Sequence, residues 1–336
     1  MDALDERLIR VSGDGIRREH GEPRPGEAGP VKANYRVVEP GMAPLEAFRA
    51  LCAACVQHLE GNRTGALAAA DPEYLHQMRV ALRRLRTAFG LFADALPRPV
   101  AAELLEELRW LRRALGGARD WDVFLAGTLR PALARHPRHA GLRALRAACE
   151  ESREEARSVA RRALESRRYY ALMRALRALS YGDAPVFPSP AGAPRSLPMQ
   201  RHALAAIAAL IGKARKRGRR LARLDAGELH RLRKAVRRLR YGLMFLAPLL
   251  PEARVRPLAV SVEALQETLG ALNDCAVGRT LIERARAKAR RPKRRKARRL
   301  LAKRIAAARA ARRGELETQW EAFRAAEKGW VSAGAG

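Results

Sequence analysis

The chain has 336 residues, enough for one large domain or two of ordinary size. Hydrophobic residues make up 48% and charged residues 30%, which excludes a disordered chain. The 67 Lys and Arg against 35 Asp and Glu leave a net charge of +32, which calls for a polyanionic partner: nucleic acid, an anionic membrane or polyphosphate. Four cysteines are too few for a disulfide framework at this length, so reduced thiols and a cytoplasmic location are expected. The N-terminus has no apolar signal-peptide core, and no uncharged apolar run is long enough to cross a bilayer.

In chain order, residues 1–36 read as a flexible tail, because 12–34 are rich in Gly, Pro and charge. The first helical stripe follows, with Leu45, Phe48, Cys52, Cys55 and Leu59 three or four residues apart. Cys52, Cys55 and His58 share that helix. A zinc site needs a fourth ligand, so they are read as small buried side chains and not as metal ligands.

Residues 76–92 form a helix with two faces. At about 100° per residue, Arg79, Arg83 and Arg86 fall within about 80° of His76, a strip about 15 Å long. Met78, Leu82, Leu85, Phe89 and Phe92 take the opposite side. No acidic residue interrupts the strip, although like charges one turn apart repel. Arg84 is a weaker candidate on the same helix. Leu104, Leu108, Leu111 and Leu115 mark another helix, with Arg112, Arg113 and Arg119 as candidate extensions of the basic surface. Arg119 is equally readable as a local partner of Asp122. Gly116 reads as a helix stop and Asp120 as the cap of the next helix.

Residues 182–198 carry five prolines and read as a linker between a first half, 37–181, and a second half, 199–330. In the second half, His230, Arg233, Arg237 and Arg240 repeat the basic face. Lys234 and Tyr241 turn toward it, and Arg238 is a weaker candidate. Leu258, Val262, Leu265, Leu269 and Leu272 continue the helical pattern, with Gly270 and Asp274 again read as stop and cap. The run 284–299 is strongly basic and broken by Pro292. It reads as a solvated, partly disordered loop, or else as an extension of the polyanion footprint or a DNA contact.

The halves align without a gap at an offset of 154: HQMRVALRRLR at 76–86 matches HRLRKAVRRLR at 230–240, Leu115-Gly116 matches Leu269-Gly270, and Asp120 matches Asp274. The expected fold is all-α, with two antiparallel helical bundles related by approximate two-fold symmetry. Two matching cationic strips suit phosphate, which the planar fork of arginine pairs bidentately. A histidine in line with them would tighten binding as pH falls through its range.

At these residues the chain resembles the CHAD family of α-helical domains. The pattern His-x-x-Arg-x-x-x-Arg-x-x-Arg/Lys occurs at 76–86 and 230–240, and the segments 44–62, 115–124, 239–251, 269–277 and 319–330 are also family-like, so the resemblance covers roughly 37–330. It implies two helical bundles around a basic central surface or pore that binds long-chain inorganic polyphosphate without catalysis. The contacts it implies are His76, Arg79, Arg83, Arg86, His230, Arg233, Arg237 and Arg240, with Lys234 nearby. It also implies placement at polyphosphate granules or beside polyphosphate-metabolising enzymes. Family members are often fused to a CYTH domain, whose Glu-x-Glu-x-Lys signature is absent from this sequence.

Two other functions compete. Non-specific nucleic-acid binding fits the charge, but aromatics for base stacking are only 5% of the chain. A phosphotransfer enzyme using His76 or His230 would need an orienting carboxylate, a metal or a phosphate-cradling loop, and the sequence offers no GxxxxGK loop or nearby acidic cluster. No cofactor and no metal are expected.

Overall fold

The computed structural model describes residues 29–32, 35–68, 71–182, 199–287 and 292–332. Among them there is no β-strand. In chain order the helices are α1 (Pro44–Gly61), α2 (Arg63–Ala68), α3 (Pro72–Leu91), α4 (Arg98–Ala114), α5 (Gly116–Phe124), α6 (Arg130–Arg135), α7 (Ala140–Glu165), α8 (Arg167–Tyr181), α9 (Met199–Gly218), α10 (Ala226–Leu246), α11 (Glu252–Ala287) and α12 (Pro292–Ser332).

The helix starts explain how the basic strips are presented. Asp71 caps α3, accepting a hydrogen bond from the Glu73 backbone N–H at 2.8 Å. Asp225 caps α10 through a reciprocal capping box with Glu228, at 2.7 and 2.9 Å. These aspartates are 154 residues apart and fix the same helical phase for both strips. The offset recurs elsewhere: α4 begins at 98 and α11 at 252. The first half breaks at Leu115, where the second runs on through Leu269. Gly116-Gly117 stands in the first half against Gly270-Ala271 in the second, and glycine weakens a helix interior. Pro131, which lacks an N–H to return to residue 127, follows a widened π-type turn over Leu125–Leu129.

The main contacts between halves pair equivalent elements: α3 with α10, α5 with α11 and α7 with α12. The core is not divided between the halves. The larger cluster runs from Phe48, Met78 and Leu108 to Leu239, Leu265 and Phe323. A smaller one joins Trp121, Phe124 and Leu145 to Leu281, Leu301 and Ile305. α3 and α10 are thereby held side by side on a shared apolar base.

Several expectations need correction. The tail does not extend to residue 36. Val31 exchanges backbone hydrogen bonds with the Asn62 side chain at 3.0 and 2.9 Å, and Tyr35 is buried with its hydroxyl 2.6 Å from His58 Nδ1. The reason is apolar: the Tyr35 ring packs at 5.8 Å from the Phe245 ring. Gly116 and Gly270 are not helix stops, and Asp120 and Asp274 cap nothing. Gly270 and Asp274 lie inside α11, and Gly182, which ends α8, is the glycine that takes positive φ among the described residues. His58 spends both ring nitrogens on hydrogen bonds, the second at 3.0 Å to Gln77, and burial pushes its pKa down to about 4. It is a neutral core histidine beside the buried Cys52 and Cys55. Most of the linker and residues 288–291 of the basic run lie outside the described residues. No described helix is long and apolar enough to cross a membrane.

Candidate anion-binding cavity

The basic faces of α3 and α10 open into one cavity of about 1050 Å3. His76, Arg79, Arg83 and Arg86 line it from one side, and His230, Arg233, Lys234, Arg237, Arg238, Arg240 and Tyr241 from the other. Arg112 and Arg119 complete the wall from α4 and α5. Twelve arginines and two lysines line the cavity against three carboxylates. Two candidates are not brought there. Arg84 is buried behind the wall, its guanidinium 4.2 Å from the Tyr35 ring and 5.8 Å from the Tyr241 ring. Arg113 is exposed elsewhere on the surface.

The guanidiniums are crowded and partly dehydrated. Burial, then the neighbouring Arg83 charge, pushes Arg79 down to about 10. The same two causes, joined by Arg233, push Arg237 well below its usual value. Burial also lowers Arg233, Arg86 and Arg119. Arginine keeps its charge at neutral pH, so the cavity wall is a cluster of like charges. Arg79 is steadied by the Arg112 carbonyl at 3.4 Å. Gly116 leaves room for it: a Cβ there would sit 3.0 Å from its Nη1.

His230 Nδ1 lies 3.1 Å from the Asn273 side-chain oxygen. Burial and the charges of Lys234, Arg233 and Arg237 lower its pKa. A polyanion in the cavity would reverse the charge contribution, so binding takes up a proton as pH falls through the histidine range. Tyr241 is fully enclosed and accepts a hydrogen bond from Arg83 Nε at 3.2 Å. Burial alone would raise its phenol. The guanidiniums of Arg83, Arg240, Arg84 and Arg237 outweigh that and bring it down to about 7.

Some lining residues were missed in the sequence reading: Arg109, Lys213, Arg217, Arg231, Gln266 and Asn273, with Asp120 and Asp274 misread as caps. The repeat held part of the signal. At the offset of 154, Gln266 stands where Arg112 is and Asn273 where Arg119 is. Arg240 Nε donates to Gln266 at 3.0 Å, across the same helix pair that carries Arg86 and Arg112 in the first half. Lys213 and Arg217, one turn apart on α9, had no such marker.

The sequence profile of the CHAD domain matches residues 50–283. A crystal structure of the CHAD domain from the plant Ricinus communis is 31% identical, with a TM-score of 0.74, covering 89% of this chain and 98% of that one. PptA from Streptomyces chartreusis shares the fold at 17% identity, with a TM-score of 0.58 over 85% of this chain and 98% of that one. No curated protein matches the chain. The profile match spans more than half of the sequence, and the plant domain superposes across nearly all of the helical framework that carries the cavity: the chain belongs to the CHAD domain family.

Proposed function

We propose that the protein binds inorganic polyphosphate in this cavity without turning it over. The observation that carries the reading is the lining: fourteen Lys and Arg side chains converge from five helices on one cavity with only three carboxylates. Such a site suits a flexible chain with a charge on every unit. The arginine forks take its oxygens in pairs, and released counterions supply much of the free energy.

Two features favour polyphosphate over nucleic acid. Tyr241, the one Phe, Tyr or Trp lining the cavity, is 2% exposed and offers no face for a base to stack on. The two cationic strips line one cavity together, which suits a thin, flexible chain with a charge on every unit. Binding is favoured over phosphotransfer because His230 is oriented by an amide, Asn273, and not by a carboxylate that would raise its basicity. On this reading the protein works in the cytoplasm, at polyphosphate granules or beside enzymes that make or degrade the polymer.

The test is a titration with long-chain polyphosphate and with DNA of equal phosphate content over a salt series, alongside a phosphate-release assay. Tight polyphosphate binding that weakens with salt, weaker DNA binding and no released phosphate are expected. Equal affinity for DNA would make the charge a diffuse one, and phosphate release abolished by His230→Ala would make the protein an enzyme.

A further inference from the structure

Two carboxylates sit where a polyanion site has least use for them. Asp120 on α5 and Asp274 on α11 occupy equivalent positions in the repeat, and both line the cavity. Neither is a cap, since both lie inside helices. Neither is a tightly buried ion-pair partner. Asp120 Oδ1 is 4.0 Å from Arg79 Nη2, and its side chain is 45% exposed, to the cavity. Asp274 is exposed and accepts a hydrogen bond from the neighbouring Asn273 amide at 3.3 Å.

Their surroundings are arginines from four helices. Asp120 faces Arg79 from α3, Arg119 from its own helix, and Arg284 and Asp274 from α11. Asp274 faces Arg233 from α10 and Arg119 from α5. Arg119 therefore acts on both carboxylates, and its Nη1 is buried without a protein acceptor. This part of the cavity is thus partly neutralised from within, while the charges that act on Arg86 and Arg237 are those of other arginines and, for Arg237, of Tyr241.

We infer that Asp120 and Asp274 are built-in counterions that decide what the cavity accepts: they partly neutralise Arg79, Arg119 and Arg233, so small phosphates are disfavoured there and polymeric ones are admitted. The inference rests on the polyphosphate reading of the cavity. A small anion beside Asp120 and Asp274 meets arginines already partly neutralised and two negative charges. A long chain meets the same repulsion but also collects the unmatched arginines further along. Chain binding adds negative charge beside both carboxylates and drives them to take up protons. Desolvation by the surrounding cavity wall holds both above the ordinary carboxylate value, so the shift starts from a favourable point. Affinity for the chain accordingly rises as pH falls through the upper carboxylate range.

The test is calorimetric titration of the native protein and of an Asp120→Asn/Asp274→Asn variant with pyrophosphate and with long-chain polyphosphate, in buffers of different ionisation heat. The variant is expected to bind the long chain roughly tenfold tighter or more. Pyrophosphate should gain by a larger factor, and proton uptake should fall. A variant that binds the long chain no tighter, or keeps the native ratio between the two ligands, overturns the inference and leaves the site reading intact. A native protein that binds no polyphosphate overturns the site reading itself. Should the double variant fail to fold, Asp274→Asn alone carries the same expectations at a smaller effect. Proton uptake by the native protein needs no variant, and its absence also overturns the inference.

Discussion

Arg237 shows how a single residue is suited to its site at the expense of the empty fold. Burial and the charges of Arg83 and Arg233 all work against its guanidinium. Replacing it by a neutral side chain of similar length removes that strain. Arg237→Met is therefore expected to stabilise the empty protein by about 1 kcal/mol in urea unfolding while weakening polyphosphate binding. A loss of stability would mean that the charge is structurally matched. Tyr241 gives a spectroscopic readout of the same cluster. Its phenol is brought down to about 7 from an ordinary value of 10. The unfolded chain therefore holds the proton over a window in which the fold has lost it. This contributes stability that is fully present above pH 10 and is lost as pH falls through about 7. A tyrosinate absorption band is expected to grow in near neutral pH, to vanish in Tyr241→Phe, and to move to higher pH when polyphosphate fills the cavity. Titration only in the ordinary tyrosine range would contradict the clustering. Tyr241 was placed on the basic face by its position in the sequence. Its enclosure was not readable there, because it depends on Arg84 packing behind it from the other half.

The helices carry their own constraints. α10 must present its arginines on one face and lie close to α9 on the other, and Gly242 makes that approach possible. A Cβ at this position would lie 2.7 Å from Leu210 Cδ1 and 3.2 Å from Ile207 Cδ1. Gly242→Ala is expected to destabilise the fold by about 1–3 kcal/mol, read by thermal unfolding, with a smaller effect on ligand affinity in the folded fraction. An unchanged midpoint would show that α9 gives way freely. Helix type was legible throughout because heptad-like leucine spacing and the absence of alternating β-branched runs leave little choice. Helix ends were less so. The segment from Leu269 to Asp274 looks like its counterpart at 115–120, yet one continues a helix and the other interrupts it. Three of the six positions differ, with Gly117, Ala118 and Arg119 against Ala271, Leu272 and Asn273, and of these the second glycine is the one that weakens a helix interior. That misreading also hid the two carboxylates, since a cap is expected to face its own helix and not a cavity.

At the scale of the whole molecule, the arrangement of the halves gathers fourteen of the 67 Lys and Arg into one cavity. Each cationic strip alone would repel itself on a solvated helix. Side by side, with the apolar faces sharing one core, the strips enclose a volume that concentrates their field. The internal repeat made the two strips legible in the sequence. Their convergence was expected only from the family resemblance, because it follows from α3–α10 packing, and Lys213 and Arg217, from a helix outside the repeated motif, were not expected at all. An occupied cavity should hold the protein folded. Polyphosphate in hundredfold excess over its dissociation constant is expected to stabilise it by about 2.7 kcal/mol, with an effect that shrinks as salt rises. A midpoint that polyphosphate does not move would contradict binding to the folded state.

The most direct test compares two four-residue variants in titrations with long-chain polyphosphate at physiological salt. One changes Arg79, Arg83, Arg233 and Arg237 to alanine. The other removes four exposed cations outside the cavity: Arg295, Lys296, Arg299 and Lys303. Both lose the same formal charge. The cavity variant is expected to lose affinity by two orders of magnitude or more, and the outer variant by roughly tenfold at most. Equal losses would show that charge, and not the converging arginines of α3 and α10, holds the polymer.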